Sequence, residues 1–423
     1  MRGLLNSLAD FPEFIDATSE NNLHRSHNLV TPPPSFPFLI AQIAQSRPVL
    51  VISGSSRGAE DIASELRDLH DRVLEFPAWE TLPHERLSPR SDTVARRIQT
   101  LNELAHSNSA LNPIVITPVR GVIHRIIADL AKQPLRYIEQ GQEISLSDLI
   151  KHLTDLAYVR TDLVEKRGEF AVRGGIVDIF ATTAEHAVRI EFFGDELEDI
   201  REFSVTDQRS ILHDDKPAKI TSIEIYAARE IIITPSVANK ARQMMLEFPN
   251  IGAMMQKIAE GIPVDGMESL APVLVDKLVP FIDYLPSGSQ ITMLSPEKCA
   301  ARATNLIETN EEFLHAAWDA AIEGAKAPID LSAGGFLDMA KFTSAIADKQ
   351  FTTISQFGSD DDTLVNLGML EIPNFTGLDV TPIEWLQDMA KTGQQIFVLA
   401  EGHGTVERIR EQLTAAGVTA EAI

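Results

Sequence analysis

Three runs of unbroken aliphatic residues limit what this chain can fold into more than any other feature. They are Pro48-Val-Leu-Val-Ile-Ser53, Pro113-Ile-Val-Ile-Thr117 and Gln395-Ile-Phe-Val-Leu-Ala400. A strand that alternates polar and apolar residues buries one face, whereas an unbroken one buries both and needs a layer on either side. Each run leads through a turn into a helix-forming stretch, expected at about 59–69, 119–130 and 405–416. Strand, turn and helix in repetition predict an α/β fold with a parallel sheet covered on both faces. A Pro-rich segment, Thr31-Pro32-Pro33-Pro34-Ser35-Phe36-Pro37, interrupts the first 48 residues and cannot be regular helix or inner strand.

Between about 135 and 220 the grammar changes. One amphipathic helix (Leu146, Leu149, Ile150, Leu153, Leu156) leads into closely spaced strands at 169–173, 176–180, 187–193 and 198–205. Gly174-Gly175 and Gly194-Asp195 punctuate them. Strands joined by tight turns rather than crossover helices form an antiparallel sheet, so this part reads as an α+β unit inserted in the α/β domain. A mostly helical stretch follows at about 235–325, with Ile291-Thr-Met-Leu294 as another buried strand. The Gly- and Pro-flanked junction at 327–335 is expected to open a last domain. With 423 residues, about three domains are expected. The boundaries drawn are 1–135 and 222–327 for the two parts of the first domain, 136–221 for the insertion, and 328–423 for the last.

Charge and motif content narrow the function. Lys and Arg number 37 against 61 Asp and Glu, a net charge of −24, which repels phosphate backbones. Arg86, Arg90, Arg96 and Arg97 lie close together and read as a solvated helix face. The single Cys299 can build neither a disulfide framework nor a cysteine zinc site, and no apolar run is long enough to span a bilayer, so a cytoplasmic, non-membrane protein is expected. Gly54-Ser-Ser-Arg-Gly58 could cradle an anion, but it lacks the Lys and hydroxyl of a phosphate loop, and Glu60 and Asp61 follow it. It reads as a tight turn with a helix cap. Gly402-His-Gly404 fails likewise, and Ser53-Gly-Ser-Ser is no nucleophile elbow. Among eleven histidines no metal-ligand spacing occurs; His213-Asp214 and His84-Glu85 read as surface or capping groups.

Alternation in Val188-Arg189-Ile190-Glu191-Phe192-Phe193 sends Val188, Ile190 and Phe192 to the core and Arg189, Glu191 and Phe193 outward. One strand earlier, Phe170 and Val172 point inward and Arg173 outward. Arginine and large aromatics on a rigid sheet face are the residue types that dominate protein interfaces. On the residues alone, Phe193 is either a docking residue or is covered by another part of the chain.

Two blocks carry a family resemblance. Pro77-Ala-Trp-Glu-Thr-Leu-Pro83 with Ser88-Pro89 and Asp92–Ile98 resembles bacterial transcription-repair coupling factors (Mfd). So does Arg167–Phe180 followed by Val188–Asp195, a block shared with the excision-repair protein UvrB. The resemblance implies a degenerate, P-loop-NTPase-like (helicase-type) parallel-sheet domain with an inserted α+β UvrA-binding domain, then a smaller partial α/β domain. Departures from UvrB favour the coupling factor. The Pro-rich Thr31–Phe38 stands where UvrB has its ATP-binding loop. Leu294-Ser-Pro-Glu297 stands in place of its acidic Asp-Glu-Ser-His motif. Trp79–Pro83 runs almost directly into Ser88–Ile98, with no room for its DNA-gripping hairpin.

What the resemblance implies is a non-catalytic module that recruits UvrA to lesion-stalled RNA polymerase in nucleotide excision repair through Arg173, Arg189 and Phe193. It implies a role in restraining the motor as well. Where UvrB tends to carry a further Arg, this chain has Ala171. ATP and Mg are expected only in motor domains outside this chain, so no cofactor is expected here. RNA polymerase and DNA are expected to contact other domains, and a C-terminal domain of the same protein to cover the UvrA face at rest. The alternative is a UvrB-like, ATP-dependent DNA-damage-binding protein.

Overall fold

The computed structural model describes residues 3–8, 11–19, 27–82, 85, 87–106, 109–247, 251–322, 336–358, 364–376, 379–393, 396–400 and 402–421. After short helices at Gly3–Leu8 and Pro12–Thr18, the chain forms β1 (His27–Val30), α1 (Phe36–Ala44), β2 (Val49–Ser53), α2 (Ser56–Arg67) and β3 (Val73–Glu75). Next come α3 (Ser91–His106), β4 (Ile114–Pro118) and a short α4 (Val119–Ile123). It then leaves this sheet for β5 (Arg136–Glu139), α5 (Leu146–Asp155), β6 (Val159–Arg160), β7 (Glu169–Arg173), β8 (Ile176–Ile179), β9 (Ala187–Phe193), β10 (Glu196–Phe203) and β11 (Ser222–Ile225). It returns through α6 (Pro235–Glu247), α7 (Gly252–Ala259), β12 (Gln290–Leu294), α8 (Pro296–Ile322), α9 (Met339–Ala345), β13 (Gln350–Ser355) and β14 (Leu364–Asn366). Helices α10 (Pro382–Ala390) and α11 (His403–Ala415) follow.

The large sheet has the order β14-β1-β13-β12-β2-β4-β3, and every neighbouring pair is parallel. Strands β2, β4 and β12 are buried at every residue. Their alternating side chains feed two separate cores, which is what an unbroken aliphatic strand requires. Leu50, Ile52, Val115, Ile291 and Met293 pack with Val94, Ile98 and Leu101 of α3. Val49, Val51, Ile114 and Ile116 pack on the other face with Leu39, Ile40 and Ile43 of α1 and Ile62 and Leu66 of α2.

The smaller sheet has the order β10-β9-β8-β7-β6, antiparallel except where β6 joins β7. Phe170, Val177, Ile179, Val188, Ile190, Leu197 and Ile200 form its inner face, packed with Leu149 and Leu153 of α5. That inner face is continuous with the α3 side of the large sheet, so the insertion and the α/β part share one core. A compact unit runs from Met1 to Met369 and a second from Leu370 to Ile423.

Five expectations differ from the structure. The Pro-rich segment is helical in part: Pro33–Ser35 forms one 3-10 turn, and Phe36 and Pro37 open α1, where a first-turn proline removes no helical hydrogen bond. Helix α4 stops at Ile123 instead of continuing to 130, because the chain turns extended and Ile126-Ile127 pairs with Leu278-Val279. The expected strand at 395–400 is not formed at 396–400, where Ile396 to Leu399 are solvent-accessible, and Gln395 lies outside the described residues. A strand needs a hydrogen-bonding neighbour, and the second unit has none among its described residues. The junction at 327–335 also lies outside the described residues. The expected boundary there does not coincide with a break in packing: β13 pairs with both β12 and β1, and β14 with β1, so the large sheet is incomplete without residues up to 366.

The arginine cluster is the fifth. Arg90 is exposed and pairs with Asp92, as a solvated face predicts, and Arg86 lies outside the described residues. Arg97, by contrast, is fully buried beneath the entrance to the insertion and pairs with Glu230.

Candidate docking surface

Strand register defines the outer face of the smaller sheet. Cross-strand partners share a face, so Arg173, Ile176 and Glu191 form one row, and Ala171, Asp178, Arg189 and Arg201 the next. Alternation within β9 keeps Phe193 on the same face as Glu191, and a bulge at Glu198 in β10 sets Glu196 opposite it. The hairpin between β7 and β8 is tight because Gly174 takes a φ of 62°, the left-handed region that two-residue hairpin turns demand.

This face is half covered. At one end Val164, Ala171, Phe180, Ala187 and Phe203 form a small buried cluster. The other end, beside the Gly174-Gly175 turn, is open. There Phe193 is 75 % exposed, and Arg173 is exposed with its Nη2 donating to the Asp162 carbonyl at 3.0 Å.

Arg189 is placed differently from the expectation. It lies on the outer face, but its side chain is only 17 % exposed. Its Nε and Nη2 donate to the two oxygens of buried Asp178 at 2.7 and 2.9 Å, and its guanidinium stacks 4.8 Å over Phe203. The charge-assisted bonds with Asp178 hold the guanidinium in its protonated form and push its pKa up. Arg201 is clamped likewise by Glu191 and Asp199. The three predicted residues therefore share a face but not a state: Phe193 and Arg173 are exposed, whereas Arg189 is a clasped floor group.

Sequence reasoning missed Ile176 and Asp178. Ile176 was readable, since residues flanking a two-residue turn face each other and Arg173 already pointed outward. Asp178 was not, because its meeting with Arg189 depends on the β8–β9 register.

The strand–loop–helix corners at the C-terminal edge of the large sheet bear on nucleotide chemistry. Between β1 and α1, Pro32, Pro33 and Pro34 have no N–H to offer an anion, and neither has Pro37 in the first turn of α1. The N–H groups that remain are used internally: Thr31 donates to the Ser355 carbonyl, Ser35 to Pro32 and Phe36 to Pro33. At the next corner Ser55 caps α2 by accepting from the Gly58 N–H at 3.0 Å, the turn-and-cap that its sequence predicted. A Cβ on Gly54 would come within 3.3 Å of Lys298 Cβ, so α8 closes over that turn. Among the described residues no group of acidic, His and Cys side chains could hold a metal ion. Nor is any described helix long and apolar enough to cross a membrane.

Residues 137–230 match the UvrB interaction domain family. Over 411 residues, 91 % of this chain, the sequence is 38 % identical to the transcription-repair-coupling factor of Mycobacterium bovis. The Bacillus subtilis factor is 34 % identical over 64 % of the chain, and the Escherichia coli factor 25 % over 59 %. The chain is a relative of the transcription-repair coupling factors. It spans about a third of the length of the Mycobacterium factor and 24 % and 22 % of the other two. The family block 137–230 contains β6 to β11 and all of β5 but its first residue, and with them the whole open face.

Proposed function

We propose that the open end of this sheet is a UvrA-docking surface, with Phe193 and Arg173 as its exposed contacts and Arg189 as a fixed cation in its floor. The observation that carries the reading is Phe193, 75 % exposed on a rigid strand inside the UvrB interaction domain. A large aromatic held in water by its own strand costs hydration that a partner's pocket would recover. Two χ angles also leave it little entropy to lose on binding. The clasped Arg189 is preorganised in the same sense, since its geometry is set before any partner arrives. Ala171, where UvrB tends to carry Arg, is buried in the small cluster under this face, so the cationic part of the docking rests on fewer groups here.

The surrounding α/β part acts as support. The proline-filled β1–α1 corner and the covered Gly54 turn favour a non-catalytic segment over a UvrB-like ATP-dependent damage-binding protein. By extension from the coupling factors, the segment recruits UvrA in nucleotide excision repair while ATP turnover, polymerase and DNA contacts belong to other domains. Restraint of the motor, through a C-terminal domain lying on the same face, is compatible with this.

The test is UvrA binding by wild type and by Phe193→Ala and Arg173→Glu. Loss of roughly 2 kcal/mol or more in each is expected for hot-spot contacts. Unchanged affinity in both would remove the site assignment, and a thermal shift with Mg-ATP would revive the enzymatic alternative.

A further inference from the structure

The insertion enters near Gln133 and leaves near Glu230, and these two strands of chain converge on one buried charged cluster. Glu230 and Arg97 have side-chain exposures of 1 % and 0 %. Glu230 Oε1 accepts from Arg97 Nε at 2.5 Å and from the Trp79 indole N–H at 2.8 Å. Arg97 Nη1 donates to the Pro77 carbonyl at 2.9 Å, and its guanidinium stacks 4.2 Å from the Phe76 ring centroid. The Gln133 side chain donates to the Glu230 carbonyl, which ties entrance to exit. Trp79 meets the ring of buried His124 edge-on at 4.5 Å.

The rest of the junction with α3 is mainly a shared apolar core with a few part-buried polar bonds, such as the Ser91 hydroxyl to the Arg167 carbonyl at 2.8 Å. Apolar contact is non-directional and lets one surface slide on another. A buried ion pair with fixed hydrogen bonds does not slide, because any displacement strands a charge out of water.

We infer that Arg97 and Glu230 are a positioning pair: they set the direction in which the inserted sheet presents its open face relative to the large sheet. This rests on the docking reading only for its purpose, since the geometry it concerns needs no partner.

The experiment measures that geometry directly. Nitroxide labels at Ser64→Cys on α2 and Lys151→Cys on α5, both exposed, report the distance between the two parts by pulsed electron resonance. Cys299 stays unlabelled because it is buried and burial, with help from Glu297, pushes its thiol up to about 12. The decisive variant is Arg97→Met with Glu230→Leu, which refills the site with apolar side chains of similar volume and so keeps the fold. The labelled parent is expected to give one distance population. The double variant, folded by circular dichroism, is expected to gain a second or broadened one. A double variant that keeps the parent's single population would overturn the proposal, since apolar packing would then set the direction unaided. A double variant that fails to fold would overturn it too, making the pair a plain stability element. Because no UvrA is present, failure of UvrA docking leaves this result standing.

Discussion

The large and small sheets are made of the same aliphatic and aromatic residue types and are put to opposite uses. The seven-stranded sheet buries both faces, so each of its central side chains has a packed neighbour and none faces a partner. The five-stranded sheet buries one face, covers half of the other with its own small cluster, and leaves the rest in water. Its hydrogen-bond ladder supplies rigidity, so the exposed side chains at its open end, Phe193 above all, contribute little to folding. Stability and recognition are separated in space, and single substitutions should separate them as well.

The largest effect should come from a charge in the doubly buried sheet. Val51→Asp buries a carboxylate in a largely apolar core, beside Ile116 and the Thr292 hydroxyl of its neighbouring strands, and should cost more than about 4 kcal/mol in urea unfolding. A loss under about 1 kcal/mol would mean that β2 is not the central strand described. Next is the clasp under the open face. Asp178→Ala leaves Arg189 without its carboxylate and should cost about 3 kcal/mol, the low end for a broken buried pair because Arg189 keeps some solvent. Equal stability of the variant and wild type would show that Arg189 is not held there.

Phe193→Ala should invert that pattern. Its unfolding free energy is expected within about 0.5 kcal/mol of wild type, as for an exposed side chain, while UvrA affinity falls by about 2 kcal/mol. A variant that lost stability instead would place Phe193 in a core and break the comparison.

The last effect, the smallest at neutral pH, is a pH dependence seated in the α/β half. Burial, then the nearby Arg97 and Arg120 guanidinium groups, pushes His124 down to about 3. Its folded pKa lies below the unfolded value of about 6.5, so the unfolded chain binds the extra proton between those limits. This contribution to stability is complete above the upper limit and is lost as pH falls towards 3. The slope is at most about 1.4 kcal/mol per pH unit. Unfolding midpoints of His124→Gln against wild type from pH 7 to 4 check it; parallel curves would show that His124 does not titrate on unfolding.

Alternation and apolar runs were readable because they are local. A strand's side chains point to opposite faces whatever surrounds it, so Val49 to Ser53 declared a doubly buried strand, and Arg173, Arg189 and Phe193 declared a common outer face. The Gly54 turn was readable for the same reason, its cap lying within a few residues. Local signals misled at 396–400, where an aliphatic run has no strand to pair with among the described residues, and at Arg97, whose neighbours along the chain are those of a solvated helix.

By itself, then, the sequence determined the layers of the large sheet, the presence of an antiparallel insertion and which face of it points away from the core. Only the tertiary structure decided which groups on that face stay exposed. Arg189 is clasped because β8 and β9 pair in the one register that sets it beside Asp178. Arg97 is buried because the chain brings back Glu230, 133 residues later, to neutralise it. Both outcomes are pairings of charges distant in sequence, and a charge reads as solvated until its partner is in place.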